Sequence, residues 1–160
     1  ILSGANLSWA VLSYTNLYKA NLSRANLSYA NLCKVNLSKA TLFESNLYEA
    51  NLSEVNLSYA NLSEAILYKA NLFEANLSRV NLSKADLFEA NLSRANLKDI
   101  AFDHVYLSEC NYETFINQAE LTEYFLVKAI CDYAVYKDFS LLEEVLKSKS
   151  EIIRIVGGGY

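Results

Sequence analysis

The 160-residue sequence contains no proline and no methionine, and it has only four glycines, three cysteines and one histidine. Average usage would put about eight prolines in a chain this long. Their absence fits a backbone whose N–H groups are all needed as donors. Methionine is missing even at position 1, which points to a chain taken from within a longer one. Gly4 is the only glycine before Gly157–Gly159, so there is no glycine-rich phosphate loop. With His104 the sole histidine, no Ser/His, Cys/His or multi-His arrangement can form except around it. Cys33, Cys110 and Cys131 have neither paired nor metal-type spacing and are expected to be reduced thiols in a cytoplasmic protein with no bound metal or cofactor.

Long apolar runs are missing too. Ile1 to Ala5 has neither a basic leader nor an apolar core, and the greasiest later stretch, Tyr124 to Tyr136, is broken by Lys128 and Asp132. No membrane partner is expected. Asn-Leu-Ser recurs ten times between Asn6 and Asn91, and each copy would be a glycan acceptor in a secretory pathway. That density of sugars along a packed wall is also hard to reconcile with secretion.

What is present is a period of five. Every fifth residue from Leu2 to Leu97 is leucine, twenty in a row. Two places before each leucine stands a small or β-branched residue, mostly Ala, with Thr15, Val35, Ser45, Val55 and Val80 as variants, and Asn dominates between them. The other two positions carry Ser, Tyr, Phe, Lys, Arg and Glu. A period of five fits neither the 3.6-residue helix nor the two-residue alternation of a long strand. The chain must therefore turn every five residues, with Leu and the small residue inside, the variable pair in water, and Asn amides stacked in ladders between coils.

Repeats such as Ala75-Asn76-Leu77-Ser78-Arg79 and Ala85-Asp86-Leu87-Phe88-Glu89 resemble those of the pentapeptide-repeat proteins, over residues 1–112. The resemblance implies an all-β solenoid: a right-handed quadrilateral parallel β-helix with four repeats, or twenty residues, per coil. If residues twenty apart stack, opposite charges should meet: Arg24 with Glu44, Lys34 with Glu54, Glu49 with Lys69, Lys69 with Glu89, Glu64 with Lys84, Glu74 with Arg94 and Arg79 with Asp99. Like charges meet at Lys19 and Lys39, Glu44 and Glu64, Glu54 and Glu74, and Glu89 and Glu109.

The phase is lost from Glu113. Helical spacing from Phe115 to Ala134, and a capping-box start at Ser140-Leu141-Leu142-Glu143, predict a C-terminal α-helical cap over residues 113–160 with a flexible glycine-rich end. Such a cap covers an open β edge. In the resembling family the C-terminal segment sometimes joins two copies, so a homodimer through these helices is the alternative.

Two surfaces are candidates for function, and neither is catalytic. Under twenty-residue stacking Trp9, Tyr29, Tyr48, Tyr68 and Phe88 share one side, and exposed aromatic stripes mark binding surfaces. Rings stacked only to stabilise their own wall would have the same sequence signature. The second candidate is an acidic belt, Glu44, Glu49, Glu54 and Glu64. Some pentapeptide-repeat proteins are DNA-like rods that protect or inhibit bacterial type II topoisomerases. A rod of 112 residues would be about 27 Å long, where duplex DNA carries about 16 negative charges. The repeats hold ten acids against nine bases, too neutral for that mimicry overall and too neutral for direct nucleic-acid binding. Stacked pairs such as Glu44 with Glu64 approach a glycosidase-like separation of about 5 Å, but on a convex wall without a cleft. The sequence thus reads as a non-enzymatic protein–protein interaction scaffold of a bacterial cytoplasm, with the DNA mimic as the alternative.

Overall fold

The computed structural model describes residues 2–100 and Val105. Fifteen parallel bridges link residues twenty apart, from Asn6 with Asn26 to Asn76 with Asn96. Each repeat ends in a β-turn: the N–H of the small residue donates to the carbonyl of the leucine three before it, as in Ala30 to Leu27 at 3.0 Å. A coil of twenty residues with a turn every five has four sides. We number them by their first described repeats: side I from 5–9, side II from 10–14, side III from 15–19 and side IV from 20–24.

One repeat shows how the backbone is satisfied. Asn26 N–H donates to Ala5 O at 2.9 Å in the preceding coil, Leu27 N–H to Asn46 O at 2.7 Å and Tyr29 N–H to Tyr48 O at 2.8 Å in the following one, and Ala30 N–H closes the turn. The remaining donor, Ser28 N–H, is taken by Asn26 Oδ1 at 3.1 Å. All five N–H groups are used, so a proline anywhere in the repeat would delete a bond. The asparagine therefore does more than the ladder expected of it. Amide-to-amide bonds do form between coils, as in Asn51 Nδ2 to Asn31 Oδ1 at 3.3 Å and Asn91 Nδ2 to Asn71 Oδ1 at 3.1 Å. The more regular task of Oδ1 is to accept the N–H two residues on, the same local bond that makes Asn and Asp turn residues. Asp86 does it equally, receiving Phe88 N–H at 3.0 Å.

The third residue of each turn, which ends the repeat, has positive φ, between 50° and 62°, in nineteen non-glycine residues from Trp9 to Asp99. That places it in the left-handed region, which costs an L-residue about 1 kcal/mol or more. The position is consequently less free than it looks in the sequence. It holds Trp, Tyr, Lys, Arg, Glu and Asp but never a β-branched residue, whose Cβ substituents would clash there.

Inside, Leu and the small residues form one continuous core, with every leucine from Leu22 to Leu97 at most 1% exposed. Polar residues at the small position are handled within the turn: buried Ser45 Oγ donates to Leu42 O at 2.7 Å. The four-sided coil thus appears as the resemblance implied. The predicted helical cap at 113–160, with its homodimer alternative, the boundary at 112, and His104, Cys110 and Cys131 all lie outside the described residues.

Two substitutions test this account. Ile66 stands where Asn is the rule, between Asn46 and Asp86 in its column. Ile66→Asn should restore the acceptor for Tyr68 N–H and raise stability by about 1 kcal/mol, whereas Asn51→Ala should cost about 1–3 kcal/mol, both read by urea unfolding. At the corner, Lys39→Gly should be close to neutral, because relief of the φ strain offsets the flexibility gained by the unfolded chain, while Lys39→Val should lose more than about 1 kcal/mol.

Candidate binding surface

Side I places the five predicted aromatic residues in one column. Trp9 and Tyr29 stack face to face, with ring centroids 4.2 Å apart and planes within 5°. Tyr29 meets Tyr48 edge-on at 5.2 Å, and Tyr48–Tyr68 and Tyr68–Phe88 follow at 5.4 and 5.3 Å. The column crosses the wall as it descends, because Trp9 and Tyr29 occupy the corner position whereas Tyr48, Tyr68 and Phe88 stand one residue earlier. Trp9 is 69% exposed and the four rings below it are half-buried. Since the rings cover one another's faces, a partner would meet edges and phenol tips. Ile66, 44% exposed, adds an aliphatic patch beside Tyr48, Tyr68 and Phe88.

The phenols are tied to the corner charges. Tyr68 Oη donates to Glu89 Oε1 at 3.5 Å, and Lys69 lies both over the Tyr68 ring, 5.0 Å from its centroid, and 3.5 Å from Glu89. Hydrogen bonds to Glu49 and then to Tyr29 hold the Tyr48 phenol protonated well above the ordinary tyrosine range.

The acidic belt is placed differently from a single patch. Glu44, Glu49 and Glu54 occupy three successive corners of one coil and Glu64 the corner below Glu44. Glu44 accepts from Arg24 Nε at 2.7 Å, Glu54 lies 3.3 Å from Lys34 Nζ, and Glu64 accepts from Lys84 Nζ at 3.2 Å. Together with Arg94–Glu74, Arg79–Asp99 and Lys69–Glu89, six of the seven expected pairs form as ion pairs within 4.0 Å, Glu49–Lys69 being the exception. They are exposed pairs, each worth little individually. Each cancels much of the field that its carboxylate would project.

Sequence reasoning treated the two sets as separate. The structure brings them together: Glu44 and Glu64 edge side I at one corner, and Glu49 at the other, with the aromatic column between them. Glu54 lies one corner further round. The basic counterpart was also missed. The corner between sides III and IV reads Lys19, Lys39, Tyr59, Arg79 and Asp99, with Tyr59 carrying Lys39 over its ring at 5.9 Å and accepting from Arg79 Nη1 at 2.5 Å. The twenty-residue spacing would have shown it had aromatics and bases been tracked in one column.

Among the described residues, no group of three or more His, Cys, Asp or Glu is arranged to hold a metal ion, and no helix is long and apolar enough to cross a membrane. The fold and surface define a four-sided parallel β-solenoid that displays its variable side chains on its outer walls. The chain belongs to the pentapeptide-repeat family: the profile described as pentapeptide repeats matches eight copies, over residues 1–38, 36–72, 45–83 and 65–108. Proteins of this family form right-handed quadrilateral β-helices. A pentapeptide-repeat protein of the Arabidopsis thaliana thylakoid lumen is 28% identical, with a TM-score of 0.51, covering 61% of this chain and 72% of its own. A pentapeptide-repeat protein from Nostoc is 29% identical at the same TM-score, 0.51, covering 72% of this chain and 84% of its own. The plasmid-mediated fluoroquinolone-resistance protein QnrB1 is 17% identical with a TM-score of 0.33, covering 84% of this chain and 86% of its own, too distant to speak to what this chain binds. No curated protein matches the sequence.

The phenol network has a pH consequence. The Tyr48 pKa is raised above its unfolded value of 10.0, so the stabilisation is complete below pH 10 and fades as pH rises and the unfolded chain ionises first. Tyr48→Phe should remove a late-ionising component from the ultraviolet titration of the folded chain.

Proposed function

We propose that the rod is a non-catalytic, cytoplasmic interaction module that binds another protein through side I. The observation that supports this most is the column from Trp9 to Phe88, with Ile66 replacing an amide beside it. Large rings held in a rigid wall lose little conformational entropy on contact. Ile66 leaves apolar surface exposed at a position where Asn would also have served the backbone. Phenol tips, and Glu49 at the edge of side I, the one flanking carboxylate outside the six ion pairs, favour a partner segment that is apolar at its centre and basic at that edge. Mimicry of DNA is less favoured, since Glu44, Glu54 and Glu64 are each paired with a cation from a neighbouring coil.

The test is affinity capture by the immobilised protein beside two variants, Tyr68→Ser/Phe88→Ser on side I and Ser38→Lys/Ser58→Lys on side III. A species retained by the parent and the side III variant, and lost at least tenfold with the side I variant at an unchanged circular-dichroism spectrum, supports the assignment. Equal retention by all three would sink it. Inhibition of gyrase supercoiling that disappears on changing Glu44, Glu54 and Glu64 to Gln would replace it with the DNA-mimic reading.

A further inference from the structure

The column on side I is also a continuous path of oxidisable rings. Trp9, the only tryptophan of the chain, stands exposed at one end, in face-to-face contact with Tyr29 at 4.2 Å. Tyr48 and Tyr68 follow with no step longer than 5.4 Å between centroids. Phe88 is the last ring of the column among the described residues and has no phenolic hydrogen to give up. Trp9 is open to solvent, whereas the tyrosines below it are half-buried by their neighbours, so an oxidant in solution reaches the indole most readily. Carboxylates stand where the phenol protons would have to go: Glu49 on Tyr48, and Glu89 on Tyr68 at 3.5 Å.

We propose that side I is a radical relay that carries a one-electron oxidation from Trp9 through Tyr29 and Tyr48 to Tyr68. The oxidant is a peroxyl radical, which takes the indole N–H hydrogen of Trp9, one electron and one proton, and leaves as the hydroperoxide. The indolyl radical takes an electron from the Tyr29 ring and a proton supplied through water as the Tyr29 phenol loses its own, so an O–H bond breaks and the indole N–H bond is restored. The same exchange of one electron and one proton moves the phenoxyl to Tyr48 and then to Tyr68, with Glu49 and Glu89 able to hold the phenol protons as the electrons leave. A water-soluble hydrogen donor of the ascorbate class ends the sequence by restoring the last phenol. The activity spares Trp9 and places the radical on half-buried rings.

Flash photolysis of the whole chain, with a photo-oxidised ruthenium polypyridyl dye standing in for the peroxyl radical, tests the relay through the decay of the indolyl absorption. The expected decay is first-order, unaffected by diluting the protein, matched by growth of phenoxyl absorption, and slowed at least tenfold by Tyr29→Phe. That substitution keeps the stacked ring and removes the hydroxyl whose hydrogen it must give, together with its bond to Tyr48. Tyr14→Phe, at the next corner, should leave the decay as in the parent. An indolyl decay that is unchanged in Tyr29→Phe, or whose rate scales with protein concentration, overturns the proposal.

Discussion

The bond on which the rest depends is the one from the backbone N–H two residues after each asparagine to that asparagine's Oδ1. Coil-to-coil bonds and the turn bond satisfy four donors per repeat, and the fifth points along the wall with no carbonyl to meet it. An unpaired donor in a half-buried wall costs about as much as a whole hydrogen bond contributes. Only a short side-chain acceptor at a fixed distance can meet it without widening the coil, which is why Asn and Asp hold this column at every described repeat but those of Val11, Thr41 and Ile66, and longer amides do not appear. Leucine at every fifth position then has a cavity of constant width to fill, and the small residue keeps the opposite side from overfilling.

This division of labour separates fold from function more cleanly than in most globular domains. Three positions of the repeat are committed to the backbone or the core. A fourth is constrained by positive φ but not by burial, and the fifth faces solvent on a flat wall. What the protein recognises must be read mainly from those last two positions, with exposed Ile66 of the asparagine column as an addition, as in other solenoids where binding residues ride on a repeated scaffold. On this chain they are not scattered: aromatics collect on side I, bases and Tyr59 at the corner between sides III and IV, and paired charges run along the remaining corners.

The coil was legible in the sequence because its determinants repeat without insertion. Leu at every fifth position dictated the inside, the family resemblance implied the four sides, and opposite charges twenty residues apart, such as Arg24 with Glu44 and Arg79 with Asp99, agreed with that number. Two determinants stayed hidden. The sign of φ at the corner leaves only a negative trace, the absence of Val, Ile and Thr from positions such as 39, 44 and 54, and absences are hard to notice among varied residues. The local bond of each asparagine was masked by its ladder, since both explain the same column. Of the candidate surface, the membership of the aromatic column was readable, because stacking depends only on spacing. Its mutual shielding of ring faces was not, because it depends on rotamers, whereas the pairing of Glu44, Glu54 and Glu64 with Arg24, Lys34 and Lys84 was already expected from the spacing.

The corner ion pairs also bear on how the chain finds its register. Neighbouring repeats are so alike that the interior would accept a coil shortened by one repeat almost as readily as the native one, with Leu on Leu and Ala on Ala. The corners are less indifferent. Up to Asp99, an offset of fifteen residues sets six like pairs, such as Lys19 beside Lys34 and Arg79 beside Arg94, against five opposite ones, such as Lys34 beside Glu49, whereas the native offset of twenty gives seven opposite pairs against three like. Surface charges that add little to the depth of the native well thus tilt the balance against its nearest competitor, a bias in register written on the outside of a core that cannot count.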